Sequence, residues 1–445
     1  MKRYIYITIG IIVAAAIAIL ILFLIKNHST GSSLTVSGGT TTGLLPTTGT
    51  QGTTNSSGTA EGSSVTTLGL SSSTATGTLG TVATGQMTVQ NFGVLSNDPV
   101  LDYFINPQNI ITALEPDGEV ITISNGQSTT ISSTTVDDII SASFSYDGKK
   151  ILVSYGDPTN PQSGIFTIAT NVWTALPQGM TSPQWSPTNN YQIAYLVTLN
   201  SGKLALATIN AANLKATPAT LLVINADDLA LQWPTKNEFI LSDKPTSESA
   251  GSVWAFNPQA GTFTSLLYEV SGAESIWSHN ATFPDGILFS NSSQNPLELQ
   301  SLSGNAEPQP LSLSTLPSKC AFNTELMPVA ASTAVNTTTS TASSTAKKVA
   351  AKSAPVATST PYLALYCGIP RSSSGFSSAH LPDDYNTMAL FTSDDIYKIN
   401  TVTGAEQVLW SDATQNMDTS DMKFFNNALF FVNRYDQKLY GLTFN

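Results

Sequence analysis

Four acidic pairs are the residues of this 445-residue chain best placed to do chemistry: Asp137-Asp138, Asp227-Asp228, Asp383-Asp384 and Asp394-Asp395. Adjacent carboxylates make hard-cation ligands, and a carboxylate held in a groove can act as general acid or base. Histidine adds little, because His28, His279 and His380 are the only ones and no two have metal-ligand spacing. The sequence has no G-x-S-x-G elbow, no H-E-x-x-H helix motif and no glycine-rich phosphate loop. It therefore names no catalytic, cofactor-binding or metal-binding residue and reads as non-enzymatic and cofactor-free. The alternative is an extracytoplasmic enzyme, a lyase or glycan hydrolase, that uses the acidic loops.

What holds those pairs is a series of short strands. From Met87 onward, short apolar runs alternate with turns rich in Gly, Pro, Asn and Asp, the pattern of an all-β domain. An aromatic residue followed by a polar turn and an apolar strand recurs at Phe104, Phe144, Trp185, Trp233, Trp277 and Phe322. The members stand 40 to 48 residues apart, and a further one follows at Phe424. A four-stranded propeller blade takes about 40–50 residues. The period thus predicts an all-β propeller of about seven four-stranded blades over 87–445, with six or eight as alternatives. The last unit is one strand short, and Met87–Leu95 is a spare strand at the front, so the N-terminal strand is expected to complete the last blade. Asp137-Asp138 and Asp227-Asp228 each precede the first strand of a unit, in equivalent loops on one face. They are the tentative binding-face loops, against the plainer reading of loop polarity imposed by the repeat. Trp185, Trp233 and Trp277 occupy repeat positions and are expected to pack between blades.

The turn motif Phe144–Lys149 (FSYDGK) and the WSPTN at Trp185–Asn189 resemble the repeat of TolB-type and WD-repeat-like β-propellers. Anchor, Ser/Thr tether and propeller together are also similar to uncharacterised envelope propeller proteins of small-genome bacteria, where sequences like KCAF (Lys319–Phe322) and YCGIP (Tyr366–Pro370) recur. The resemblance implies a protein-interaction surface more than a catalyst.

Cys320 begins the first strand of the sixth unit and Cys367 ends its second. In an antiparallel pair these positions lie side by side, so a disulfide is expected outside the cytoplasm; two buried free thiols are the alternative. Between them 329–360 reads as a disordered Ser/Thr/Ala insertion carrying Lys347, Lys348 and Lys352. A second insertion, Arg371–Tyr385, is expected as a structural loop able to lie over one face.

Ahead of the strands, Tyr4–Ile25 is a charge-free apolar run of one bilayer's length. It reads as a transmembrane anchor within 1–28 rather than a cleaved signal peptide, since Lys-Asn-His follows it where a cleavage site would stand. Lys2 and Arg3 before it and Lys26 after it favour a cytoplasmic N-terminus and an extracytoplasmic propeller. Residues 29–86, mostly Ser, Thr and Gly with scattered Ala and Leu, read as a disordered linker, and the LPTTG at Leu45–Gly49 within it as chance. Net charge is −12 and the only arginines are Arg3, Arg371 and Arg434, which argues against nucleic acid as partner. The expected partners are the membrane, through the N-terminal helix, and a protein or other envelope component, bound by a monomeric propeller.

Overall fold

The computed structural model describes residues 89–124, 126–244, 246–278, 286–290, 296–301, 309–326 and 361–445. The apolar run Tyr4–Ile25, the linker 29–86, the insertion 329–360, His28 and His279 lie outside the described residues. Among the described residues no helix is long and apolar enough to cross a membrane.

The strands pair into seven four-stranded antiparallel sheets. In chain order these occupy 102–132, 139–175, 181–224, 230–271, 275–314, 320–410 and 419–444, and each is a meander of consecutive strands. The exception completes the last sheet. Val89–Val94, from the start of the described chain, pairs antiparallel with Lys438–Phe444 as its outermost strand, Val89 opposite Phe444 and Val94 opposite Tyr440. The spare N-terminal strand is thus used as the sequence implied, and the two ends of the chain are knit into one sheet.

Side-chain bonds carry each sheet to the next, all the way round. Phe104 and Phe144 stack at 6.1 Å between the first and second sheets. The Trp185 indole N–H donates to Ser143 O at 3.1 Å between the second and third, and the Ser182 hydroxyl donates to Leu229 O at 3.5 Å between the third and fourth. Gln232 reaches Ser275 O, and Thr315 donates to Gly368 O at 2.6 Å. Thr419 donates its backbone N–H to Asp394 at 2.9 Å, and the Tyr103 hydroxyl closes the circuit on Asp421 O at 2.7 Å. Such a closed ring of four-stranded sheets is a β-propeller.

Packing explains the strand chemistry. The second and third strands of a sheet are covered on both faces by neighbouring sheets, so they are continuous apolar runs rather than alternating ones. Lys150–Tyr155 (KILVSY) and Leu204–Asn210 (LALATIN) are buried at nearly every residue. Fourth strands such as Val172–Ala175 lie mostly exposed at the rim.

Two glycines mark close approaches. Gly148, in the Asp147-Gly148 turn, has φ +67°, and a Cβ there would lie 2.1 Å from the Phe104 ring of the preceding sheet. At Gly368 a Cβ would lie 1.8 Å from Thr419 Oγ1, so only glycine leaves room for the Thr419–Asp394 link.

Candidate functional site

The antiparallel order fixes which turns share a face. Links between sheets lie with the turns joining second to third strands; the remaining turns lie on the opposite face. Asp137-Asp138 and Asp227-Asp228 therefore do share a face, and all four are exposed. They belong to the second and fourth sheets, and no contact joins the two pairs. Asp228 pairs with Lys244 at 2.7 Å across an exposed surface, where such a bridge contributes little.

The other two acidic pairs behave differently. Asp383-Asp384 belongs to an insertion between the second and third strands of the sixth sheet. That insertion was expected as a loop but carries two short helices, Ser373–Ser378 and Asp383–Asn386. Buried Phe376, Leu381 and Tyr385 pack on Leu316 and hold it to the ring. It also crosses to other sheets. Ser247, in a turn of the fourth sheet, donates its N–H and hydroxyl to Asp383 Oδ2 at 2.8 and 2.6 Å. The Tyr385 hydroxyl donates to Thr419 O at 3.1 Å in the seventh. The insertion is therefore a cap of packed side chains on the fourth-to-seventh-sheet side of this face.

Asp394 begins a strand and is fully buried, with Asp418, Lys319, Thr392 and Arg434 around it. Lys319 Nζ lies 2.7 Å from Asp394 Oδ2, 2.5 Å from Asp418 Oδ1 and 2.6 Å from the Thr392 hydroxyl. Arg434 donates to Asp418 Oδ2 at 2.8 Å and to Tyr385 O at 2.6 Å, its guanidinium 3.7 Å from the Tyr385 ring centre. Two cations and two carboxylates neutralise one another, so the cluster is a clamp between the sixth and seventh sheets and the root of the cap. Burial opposes the Lys319 charge, yet Asp394 and Asp418 outweigh it and raise the pKa; burial also raises that of Tyr385.

Close by, Cys320 and Cys367 face each other in register and form the disulfide, 2.06 Å between sulfurs, with both residues buried. The expected bridge is present, and the free-thiol alternative is excluded. On the same sheet Glu325 accepts from Tyr362 at 2.9 Å and from Tyr366, and pairs with Lys398 at 2.5 Å. Burial, then the Glu325 charge, pushes the Tyr362 phenol up.

Two arrangements carried no signal in the repeat analysis. Glu115, Asp117 and Glu119 bring their carboxylates within 4.8 Å of one another at a turn of the first sheet, on the capped face. Burial raises the Glu115 pKa to about 7, and the charges of Glu119, Asp98 and Asp117 add to it. The E-P-D-G-E spacing was the available clue: alternate acids around a glycine turn converge. The second is a central cavity of about 840 Å³ lined by first strands of the third to seventh sheets, among them Gln184, Gln232, Trp233, Trp277, Asn323 and Lys423. Lys423 Nζ also holds Asp102 at 2.6 Å and Asp421 at 3.1 Å where the ring closes. Trp185, Trp233 and Trp277 are all buried between sheets, as expected; among the described residues the indole N–H of Trp233 and of Trp277 has no hydrogen-bond partner.

No known family model matches the chain. No curated protein matches it either. The similar solved structures named below are of low identity. They include the Cps50 (Swd1) β-propeller domain of Myceliophteria thermophila (6% identity, 80% of this chain and 99% of that one, TM-score 0.45). The β-propeller domain of the Trilobed protease from Pyrococcus furiosus is similar at 8% identity, covering 66% and 77%, with TM-score 0.38. TolB from Acinetobacter baumannii is similar at 10% identity, covering 76% of this chain and 62% of that one, with TM-score 0.33. At these identities the likeness is one of fold.

Proposed function

We propose that this protein is a membrane-anchored propeller that displays a binding face at the cell envelope, its N-terminus cytoplasmic and its propeller outside. The observation that supports this reading most is where the tether enters. Val89 lies opposite Phe444, at the far end of that strand from the 434–437 turn on the capped face. At Val89 the chain therefore enters the ring on the face opposite the cap, and the capped face points away from that entry. The disulfide suits an oxidising compartment. The partner is a protein or another envelope component, as the TolB-type resemblance implies. The competing reading, an enzyme using the acidic loops, draws its support from the Glu115–Asp117–Glu119 cluster alone.

Expression of the full chain in a bacterial host and protease treatment of spheroplasts test the topology. The reading expects the protein in the membrane fraction and its propeller lost to external protease. Recovery of a soluble chain, or protection of the propeller until lysis, overturns it.

A further inference from the structure

The two faces of the disc differ in charge. On the capped face Asp117, Asp137, Asp138, Asp157, Asp227 and Asp436 are exposed acids, and none makes an ion pair among the described residues. Of the cations on that face Lys244 is paired with Asp228, Arg371 with Asp395 and Arg434 with Asp418, while Lys203 is exposed without an ion pair among the described residues. Among the described residues the turns of the opposite face carry Asp147 against Lys149, Lys215 and Lys236.

Within the acidic face sits an exposed apolar patch. Met388 is 52% exposed, Tyr435 44% and Phe391 38%. They are the large hydrophobic side chains exposed among the described loop residues of this face. Phe391 and Tyr435 are in ring contact at 5.2 Å, and the buried, neutralised Arg434 lies 5.0 Å from the Phe391 ring centre. The patch is therefore fixed from beneath by the Lys319–Asp394–Asp418–Arg434 clamp and presented rigidly, with Asp384 and Asp436 close in sequence at its margin. Rigid aromatic side chains surrounded by charge have the make-up of a binding hot spot. An acidic surround repels anionic lipid and nucleic acid and attracts lysine and arginine.

We infer that the capped face, centred on Met388, Phe391 and Tyr435, docks a basic polypeptide segment that places an apolar side chain on the patch and its Lys or Arg side chains against the surrounding carboxylates. This rests on the display-scaffold reading and names the kind of partner.

The test uses the full chain in nanodiscs as bait for a random-peptide display library at ~150 mM salt, where charges more than a Debye length apart are screened. Enriched peptides are expected to combine Lys or Arg with aromatic or large aliphatic residues. Their synthetic versions should bind roughly tenfold or more weakly to Phe391→Ser/Tyr435→Ser. The Asp384→Asn/Asp436→Asn variant, which removes both charges and keeps one acceptor oxygen at each residue, should weaken binding and flatten its salt dependence. Lys215→Ser/Lys236→Ser should leave it unchanged. If the first pair disturbs folding, Met388→Ser and the charge pair carry the comparison. Peptides without basic residues, or peptides lost only in the Lys215/Lys236 variant, overturn the assignment and leave the scaffold reading standing. A library that yields no binder overturns both.

Discussion

Two seams of the ring are held together in different ways. Between the second and third sheets the links come from the repeat itself. Trp185 reaches Ser143 O, Asn190 donates to Asp147 at 2.5 Å, and Lys150 lies 4.1 Å over the Tyr191 ring. Each link joins residues about one repeat apart in the sequence. Between the sixth and seventh sheets the links are buried ions and a glycine contact, and a disulfide braces the sixth sheet beside them. The first seam is a generic joint that any blade could make. The second is specific, and it is where the cap is rooted. A scaffold that presents one rigid face needs such a foundation only beneath that face.

The largest effect should come from breaking the specific seam. Lys319→Met leaves Asp394 and Asp418 buried with Arg434 as their remaining cation, and should cost about 3–5 kcal/mol, as removal of one partner from a buried ion cluster does. Chemical denaturation of the full chain, followed by tryptophan fluorescence, measures it. A loss under about 1 kcal/mol would make this seam no more specific than the other. Next comes the disulfide, which closes a 47-residue separation. Replacing both cysteines with serine should cost up to about 4 kcal/mol on the chain-entropy account. Non-reducing peptide mapping should recover the 320–367 link, with no thiol alkylated in the native protein.

The generic seam sharpens through a paired comparison. Trp185→Phe removes an inter-sheet hydrogen bond, whereas Trp233→Phe removes an indole N–H that has no partner among the described residues. The first should be the more destabilising by about 1 kcal/mol. The smallest effect is one of pH. Glu115 takes up its proton more readily in the folded chain, with a pKa of about 7 against 4.5. Its contribution is therefore most favourable at low pH and is lost as pH rises from about 4.5 through 7. Glu115→Gln should narrow the difference in thermal midpoint between pH 5 and pH 8. An unchanged difference would mean the acid cluster is fully solvated.

The generic seam was legible in the sequence for the reason that the specific one was not. Phe144, Trp185, Trp233 and Trp277 recur at similar spacing because each packs between neighbouring sheets. The spare strand Val89–Val94 was legible because a ring of sheets leaves an unpaired edge unless the chain ends meet. Cys320 and Cys367 could be paired because strand order alone places them together. Lys319, Asp394, Asp418 and Arg434 belong to no repeat: Lys319 meets Asp418 across 99 residues, and a single charge in a strand-flanking position looks solvated. Equivalent loops put Asp137-Asp138 and Asp227-Asp228 on one face. The insertion Arg371–Tyr385 was legible as a segment able to lie over one face, but its helices and the apolar patch beside it had no sequence signature, because both depend on where a non-repeated insertion lands.

The central claim is that the capped face, turned away from the tether, is the one that binds. A photo-crosslinking residue in place of Tyr435, and separately in place of Lys215 on the opposite face, tests it in the full chain within intact envelopes. The account predicts a discrete adduct from position 435 that disappears in the Asp384→Asn/Asp436→Asn background, and none from position 215. A discrete adduct from position 215 with nothing from 435 would contradict it.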